Sequence, residues 1–178
     1  MSGIIGDNTG RSTGLIKAAG GGGKLLQVVG TSTTDTDTTT SVNSWVDYGM
    51  SQAITPTAAG SKILICVAVD INADGFTCCK VVRDIASGGY GDITGMIGDA
   101  RGNRQRSFYG GNHISHGNGS VQFLDSPSYS LGNAFTYKVQ WMAENTITGY
   151  RNRRDIGDTD QTYHQTNISV LTLMEIGA

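Results

Sequence analysis

The chain has few charged residues and no long apolar run, and both absences narrow its possible functions. Asp, Glu, Lys and Arg make up 16% of its 178 residues, and the formal net charge is −2. So little excess charge gives no overall attraction for nucleic acid or for an anionic membrane surface. No stretch approaches the roughly 18–20 apolar residues of a membrane-spanning helix, and the first residues lack the basic and apolar segments of a signal peptide. We therefore expect a protein that stays in the cytoplasm or leaves it with a particle by lysis.

Cysteine is also rare, with three residues: Cys66, Cys78 and Cys79. An odd number of cysteines in apolar, strand-like segments predicts reduced thiols that fill the core. Cys78 and Cys79 are adjacent, so on a strand they point to opposite faces and do not pair with each other. Their spacing matches no common metal site.

Helical periodicity is almost absent, whereas glycine (26 of 178 residues) and threonine are abundant. This composition disfavours helices and is typical of strands joined by tight turns. Turn signals recur near the roughly 8–12-residue spacing of an all-β sandwich or barrel, which predicts about eight to ten strands. No strand–helix–strand alternation is present, so a parallel α/β sheet is not expected.

Four segments carry the strongest strand patterns: Lys62–Ile71, Phe76–Asp84, Ala134–Met142 and Asn167–Ile176. The first is apolar on both faces, which predicts a strand buried between two layers. Asn72–Gly75 contains an Asp-Gly pair and predicts a hairpin that joins the first two segments. The third alternates, which predicts one buried face: Phe135, Tyr137, Val139 and Trp141.

Weaker patterns complete the expected set of strands: Leu25–Val29, Val42–Tyr48, Ile93–Ile97, Ser120–Leu124 and Ile147–Asn152. We expect the last of these to pair with Ala134–Met142. The threonine-rich segment Thr31–Ser41 favours extended backbone but has no apolar face, so it is either an exposed strand or a solvated loop.

Residues 1–24 differ from the rest of the chain and end in the glycine run Gly20–Gly23. Such a segment cannot bury enough surface to offset the roughly 1–2 kcal/mol per residue that ordering costs. Its apolar pairs nevertheless favour docking on another protein, with the glycines as a hinge. We therefore predict an extended anchoring arm at 1–24 and a β-sandwich domain at 25–178. The predicted anchoring residues are Ile4, Ile5, Arg11, Leu15, Ile16 and Lys17.

Enzyme and cofactor motifs are not found. The sequence has no Gly-x-Ser-x-Gly elbow, no phosphate-binding loop and no His-Glu-x-x-His motif. His113 and His116 lie three residues apart in a Gly/Asn-rich segment, which indicates a loop more than a metal site at a subunit axis. Asp155, Asp158 and Asp160 do not fit a calcium-binding loop. We expect no catalytic activity, cofactor or metal.

Two arginine clusters with nearby tyrosines are the remaining candidate sites. Their members are Arg101, Arg104, Arg106 and Tyr109, and Tyr150, Arg151, Arg153 and Arg154. The arginines can pair with local aspartates, form a protein contact face or bind an acidic glycan. Nucleic acid is the least favoured partner, because the net charge is slightly negative.

Short segments along the whole chain carry a family resemblance: Met1–Ala18, Lys24–Val29, Ile54–Leu64, Val81–Asp84, Phe123–Pro127, Thr136–Gln140 and Leu171–Ile176. They resemble virion proteins of tailed bacteriophages, especially aquatic and cyanobacterial ones. The resemblance implies an all-β, jelly-roll-like antiparallel β-sandwich after the arm, and a homotrimer like the tumour-necrosis-factor-like jelly rolls. The family has no catalytic motif.

From these observations we expect a non-enzymatic virion protein of the capsid decoration or cement type. Its arm would bind the major capsid protein or a tail protein of the same phage. The alternative is a tail-fibre module whose loops Gly98–Gly119 and Arg151–His164 recognise a glycan of the host surface. A glycan depolymerase with paired carboxylates is the third and least favoured hypothesis.

Overall fold

The computed structural model describes residues 23–73, 75–112, 117–144, 147–154, 159–162 and 164–178. Within these residues the chain forms eleven strands and one 3₁₀ helix, Thr94–Met96. The described part contains no helix long and apolar enough to cross a bilayer. The strands are β1 (Leu25–Thr33), β2 (Asp37–Thr39), β3 (Val46–Ile54), β4 (Lys62–Ala73), β5 (Phe76–Ile85), β6 (Gly91–Asp92), β7 (Tyr109–Asn112), β8 (Gly117–Asp125), β9 (Phe135–Ala143), β10 (Gly149–Arg151) and β11 (Ser169–Ile176).

The strands form two antiparallel sheets. The first has the order β1-β11-β4-β8, and beyond the end of β11 the short strand β10 pairs with β4 and with β2. The second has the order β3-β9-β5, with β6 and β7 paired in succession along the other edge of β5. We now count β1–β2, β6–β7 and β10–β11 each as one strand, which leaves eight strands numbered in chain order. Their order is then 1-8-3-6 in the first sheet and 2-7-4-5 in the second. This is the strand order of a jelly roll, so the predicted all-β, jelly-roll-like sandwich is confirmed.

Alternating residues on β9 and β4 build the two walls of the core. On β9 the predicted apolar face is buried, and its residues are at most 1% exposed: Phe135, Tyr137, Val139 and Trp141. The facing wall on β4 is equally closed to solvent: Ile63, Ile65, Val67, Val69 and Ile71. Burial of each such side chain stabilises the fold by about 1.5–3 kcal/mol, so the core fixes the inner faces of both sheets.

A buried carboxylate secures one end of the first sheet. Glu175 lies on the inner side of β11 and is fully buried. Its carboxylate accepts hydrogen bonds from Gln27 Nε2 at 2.7 Å and from the backbone amides of Thr57 and Ala58 at 2.8 and 3.2 Å. Burial raises the pKa of Glu175, but the hydrogen bonds outweigh this and hold the pKa below its ordinary value of 4.5. The ionised carboxylate therefore ties the loop before β4 to the sheet.

The predicted hairpin at Asn72–Gly75 is wrong. Asn72 and Ala73 still belong to β4, and the strands on either side of the turn lie in different sheets. Each of these strands has an apolar inner face, so they bury more surface by facing each other across the core than by pairing edge to edge. The turn therefore carries the chain from one layer to the other.

Three further strand predictions need correction. The centre of Ile93–Ile97 is the 3₁₀ helix, whose Met96 is buried. The strand within Ile147–Asn152 pairs with β4 and β2, not with β9. In the segment Lys62–Ile71 the outward residues Leu64, Cys66 and Ala68 are half-buried, because they lie on the outside of the sandwich, whereas Asp70 at the end of that face is buried.

The cysteines and the end of the arm also differ in part from expectation. All three cysteines are free, as predicted, but only Cys79 is in the core, while Cys66 and Cys78 are half-buried on the outer faces. Gly23 is the one residue of the predicted hinge that the structure describes, and a Cβ there would collide with Ile176 and with the backbone of Gly177. Gly23 therefore lies against the body, and residues 1–22 lie outside the described residues.

Candidate functional site

The outer face of the first sheet carries no charge over twelve neighbouring positions. The register of the four long strands places these residues side by side, and we call them the uncharged face: Val28, Gly30, Ser32, Leu64, Cys66, Ala68, Ser120, Gln122, Leu124, Val170, Thr172 and Met174. An exposed sheet face normally alternates apolar-in with polar-out, and long charged side chains commonly cover its outside. Here every outward side chain except that of Gln122 is small or apolar, and large exposed apolar patches mark contact surfaces.

Two parallel features shape the uncharged face. One row across the strands forms an apolar ridge: Val28, Met174, Leu64 and Leu124. The two ends of the ridge are open to solvent, with Val28 51% and Leu124 44% exposed. Beside the ridge, smaller residues line a shallow trough of about 350 Å³, among them Cys66, Ala68 and Ser120. A ridge and a trough on one face are shapes that a second copy can fill.

Cationic and aromatic residues flank the uncharged face. Lys62 is exposed at one end of β4. At the other end Tyr150 pairs with Asn72 on the outer side of the sheet, and the Arg153 guanidinium lies 4.8 Å from the centre of its ring. Nearby, Arg154 Nη1 lies 2.8 Å from His164 Nε2. The sequence-predicted residues Tyr150 and Arg153 thus lie beyond one end of the face, where interfaces carry their polar rim.

Arg151 was predicted as a surface residue, and the structure contradicts this. It is 6% exposed and belongs to β10. Its guanidinium donates hydrogen bonds to the carbonyl oxygens of Tyr48 and Asp35 and lies 3.6 Å from the Asp37 carboxylate. Because these acceptors compensate for its desolvation, the arginine joins the two sheets and is not available to a partner.

The outer face of the second sheet has the opposite chemistry. Lys80 Nζ lies 2.7 Å from the Asp92 carboxylate and 4.5 Å from the centre of the Trp45 ring. Lys138 Nζ lies 2.8 Å from the Asp47 carboxylate and 4.1 Å from the centre of the Tyr90 ring. Such pairs at a surface contribute about 1 kcal/mol or less each. Lys80 is itself buried and Lys138 half-buried, so their ammonium groups are held by these partners.

A groove lies at one end of this second outer face, and we call it the Phe76 groove. Its volume is about 700 Å³. The floor consists of Phe76, Cys78 and Met142, with Gly110 beside them. A Cβ at Gly110 would lie 2.9 Å from the Cβ of Cys78, so glycine keeps the backbone of β7 close to the floor. The walls carry polar side chains: Asn43, Asn103, Arg104, Gln105, Ser107 and Glu144.

The first predicted arginine cluster forms one wall of this groove. Arg106 Nε donates to the Gly98 carbonyl at 2.7 Å, and Arg104 Nη1 donates to the Arg101 carbonyl at 3.1 Å. These bonds fold the loop onto itself and leave Arg104 lining the groove. Tyr109 follows on β7, where burial first, and then the charges of Cys79 and Asp70, raise its pKa. The two arginine clusters therefore lie on different sheets.

Burial raises the pKa of the Cys78 thiol to about 11, with Lys80 opposing the shift and the charge of Glu144 adding to it. The thiol at the floor is therefore protonated at neutral pH and is a poor nucleophile. The remaining predicted site residues, His113, His116 and the six arm residues, lie outside the described residues.

Sequence reasoning missed both surfaces for the same reason. The groove draws on four separated segments, at 43, 76–78, 103–111 and 142–144, so no local motif marks it. The uncharged face depends on strand register. The one usable signal was the apolar character of Lys62–Ile71 on both faces, which was interpreted as burial within the domain.

No protein-family model matches the chain, and no curated protein matches it in sequence. The phage resemblance of the short segments therefore stays a prediction. The functional argument rests on the uncharged face and the Phe76 groove.

Proposed function

We propose that this chain is a non-enzymatic structural protein of a phage virion, of the capsid decoration type, whose body self-associates through the uncharged face. The observation that carries the proposal is the lack of charge at twelve neighbouring outward positions of the first sheet. Contiguous apolar patches larger than a few hundred Å² mark interaction sites on soluble proteins, and the ridge Val28, Met174, Leu64 and Leu124 is the apolar part of this face. The phage setting comes from the sequence resemblance alone.

The size of the face fits the centre of an interface. Four strands about 4.8 Å apart and five residues at about 3.4 Å per residue give a patch of about 14 Å by 14 Å. A stable interface buries about 800 Å² per partner, about four times the area of this patch, so the interface must extend well beyond it, with Lys62, Tyr150 and Arg153 as part of its rim. A contact that places the ridge of one copy in the trough of the next is head-to-tail, and such contacts form a ring when the rotation between copies closes and an open filament when it does not. A three-membered ring is the homotrimer that the resemblance implies.

The arm supplies the attachment in this proposal. The chain enters the body at Gly23 and Lys24, beside the end of β11, where the Gly177 amide donates to the Lys24 carbonyl at 2.8 Å. In a ring all copies present this entry point at the same end. Three weak arm contacts with the major capsid protein or a tail protein then act together by avidity. The proposed anchors are the six arm residues predicted above.

Incorporation into particles tests the proposal. Deleting residues 2–22 keeps Gly23 on the body, so we expect a folded, self-associated protein that no longer joins particles. The full chain should be present in hundreds of copies on each head. Normal incorporation of the truncated chain, or its absence from purified particles, would contradict the proposal.

A receptor-binding module of a tail fibre is the second candidate, and the Phe76 groove is the observation that favours it. The predicted loop Gly98–Gly119 contributes to the groove, whereas Arg151 belongs to the first sheet and Arg153 stacks on Tyr150 of that sheet. Copy number separates the candidates, because a fibre tip would carry a few copies of the ring and a decorated head would carry hundreds.

A further inference from the structure

We propose that the Phe76 groove is a binding site for a neutral saccharide, with one pyranose ring stacked on Phe76. The proposal needs only the groove, and it holds whether the body decorates a head or a fibre. It names a ligand class and residues that differ from the arginine-based glycan contact predicted from the sequence.

The floor supplies an apolar surface for the flat face of a sugar. Phe76, the first residue of β5, is 56% exposed, although the next residue, Thr77, is buried. Met142 and Cys78 continue the apolar surface beneath it. A pyranose ring has C–H groups on its faces and hydroxyl groups around its rim, so an open aromatic ring fits its face. Small-ligand sites commonly combine such a floor with a few placed polar groups.

The walls supply groups that match sugar hydroxyls. Asn43, Asn103 and Gln105 carry amides that both donate and accept hydrogen bonds, as a hydroxyl group does. These three side chains are exposed and have no hydrogen-bond partner in the described part of the chain. Their backbones are held, for example by the Asn43 amide, which donates to the Ala143 carbonyl at 3.1 Å.

The charges of the groove favour a neutral ligand. Arg104 and Glu144 contribute one cation and one carboxylate, so the lining has no net charge. No ion pair engages Glu144 among the described residues, and its carboxylate can accept hydrogen bonds from adjacent sugar hydroxyls. A phosphate or polyanion needs several converging donors and would be repelled by Glu144. The volume of about 700 Å³ lies within the usual range of about 300–1,000 Å³ for small-ligand sites.

Titration calorimetry of the full chain with neutral trisaccharides of glucose, mannose, galactose and N-acetylglucosamine tests the proposal. We expect at least one to bind with a Kd on the order of 1 mM or tighter. Phe76→Ala and Glu144→Gln should each weaken that binding at least tenfold, and Phe76→Tyr should preserve it. The matched control is Tyr90→Ala, which removes an exposed aromatic of the same outer face away from the groove and should leave binding unchanged.

Several results would overturn the proposal. They are the absence of binding by every neutral trisaccharide at about 10 mM, binding restricted to sulfated or uronic trisaccharides, and binding that Phe76→Ala leaves intact. Binding of an extended peptide along β7 in place of a sugar would also overturn it. A monomeric variant of the uncharged face should still bind the sugar, so this test and the test of self-association fail independently.

Discussion

The two outer faces of this sandwich belong to sheets with the same architecture and have opposite chemistry. On the second sheet Lys80 and Lys138 each lie beside a carboxylate and over an aromatic ring. On the first sheet twelve neighbouring outward positions carry no charge. The core dictates both inner faces alike, so it cannot explain the difference. The outer faces are free to differ, and the proposed interactions with other molecules depend on that difference.

Placing a charge on the uncharged face should have the largest effect. Leu64 lies in the middle of the ridge, between Met174 and Leu124. In Leu64→Glu a carboxylate would be buried without a partner in the assembled ring, which costs about 3–5 kcal/mol. We expect the dissociation constant of the ring to rise at least about 100-fold, as measured by sedimentation. Gln140→Glu places the same charge on the second outer face, and equal dissociation by both variants would contradict the account.

Removing the buried charge of Glu175 should have the next largest effect, on folding and not on assembly. Glu175→Gln takes the ionised acceptor away from Gln27 and the backbone amides of Thr57 and Ala58. We expect the free energy of unfolding to fall by about 1–3 kcal/mol, as measured by urea titration.

The pH dependence of this effect follows from the lowered pKa of Glu175. A carboxyl with a lower pKa in the folded state stabilises the fold above its ordinary pKa of 4.5. That contribution is lost as the pH falls through the folded-state pKa. The difference between wild type and Glu175→Gln should therefore be full at about pH 7 and shrink at about pH 3. If the two proteins differ in free energy of unfolding by the same amount at both pH values, the ionised form of Glu175 does not stabilise the fold.

Thiol labelling of Cys66 and Cys78 should report the difference between the outer faces of the two sheets. Cys66 lines the trough of the uncharged face and Cys78 lines the Phe76 groove. Assembly should protect Cys66 from maleimide, so its labelling should be at least about tenfold faster in the Leu64→Glu monomer. Labelling of Cys78 should be slow in both proteins, because burial raises its pKa. Peptide mass mapping with Cys66→Ser as control distinguishes the two thiols, and equal Cys66 rates would exclude burial in an interface.

Breaking one ion pair of the second outer face should have the smallest effect. Lys138→Met removes the contacts of Lys138 with Asp47 and the Tyr90 ring. Because the Asp47 side chain is 59% exposed, we expect a loss below about 1 kcal/mol in thermal unfolding and no change in assembly. A larger loss, or dissociation of the ring, would show that this face too is an interface.

The sequence predicted the elements whose partners lie in the core. The alternation of Phe135 to Trp141 on β9 identified a buried face, because a strand with one apolar side can bury that side only by turning it toward the core. The Asp-Gly pair at the end of β4 led to the wrong prediction of a hairpin. A turn signal indicates that the chain reverses, but it does not indicate whether the next strand pairs with the first or crosses to the other sheet. The burial of Arg151 could not be predicted for a related reason. The carbonyl oxygens that accept its hydrogen bonds belong to residues more than 100 positions away in the sequence.

The mass of the protein in solution tests the central claim most directly. Native mass spectrometry at micromolar concentration should give about 56 kDa, three times the 18.7 kDa of the chain, and Leu64→Glu should give 18.7 kDa. A wild-type protein that stays at 18.7 kDa at that concentration would contradict the claim that the uncharged face joins copies of this chain.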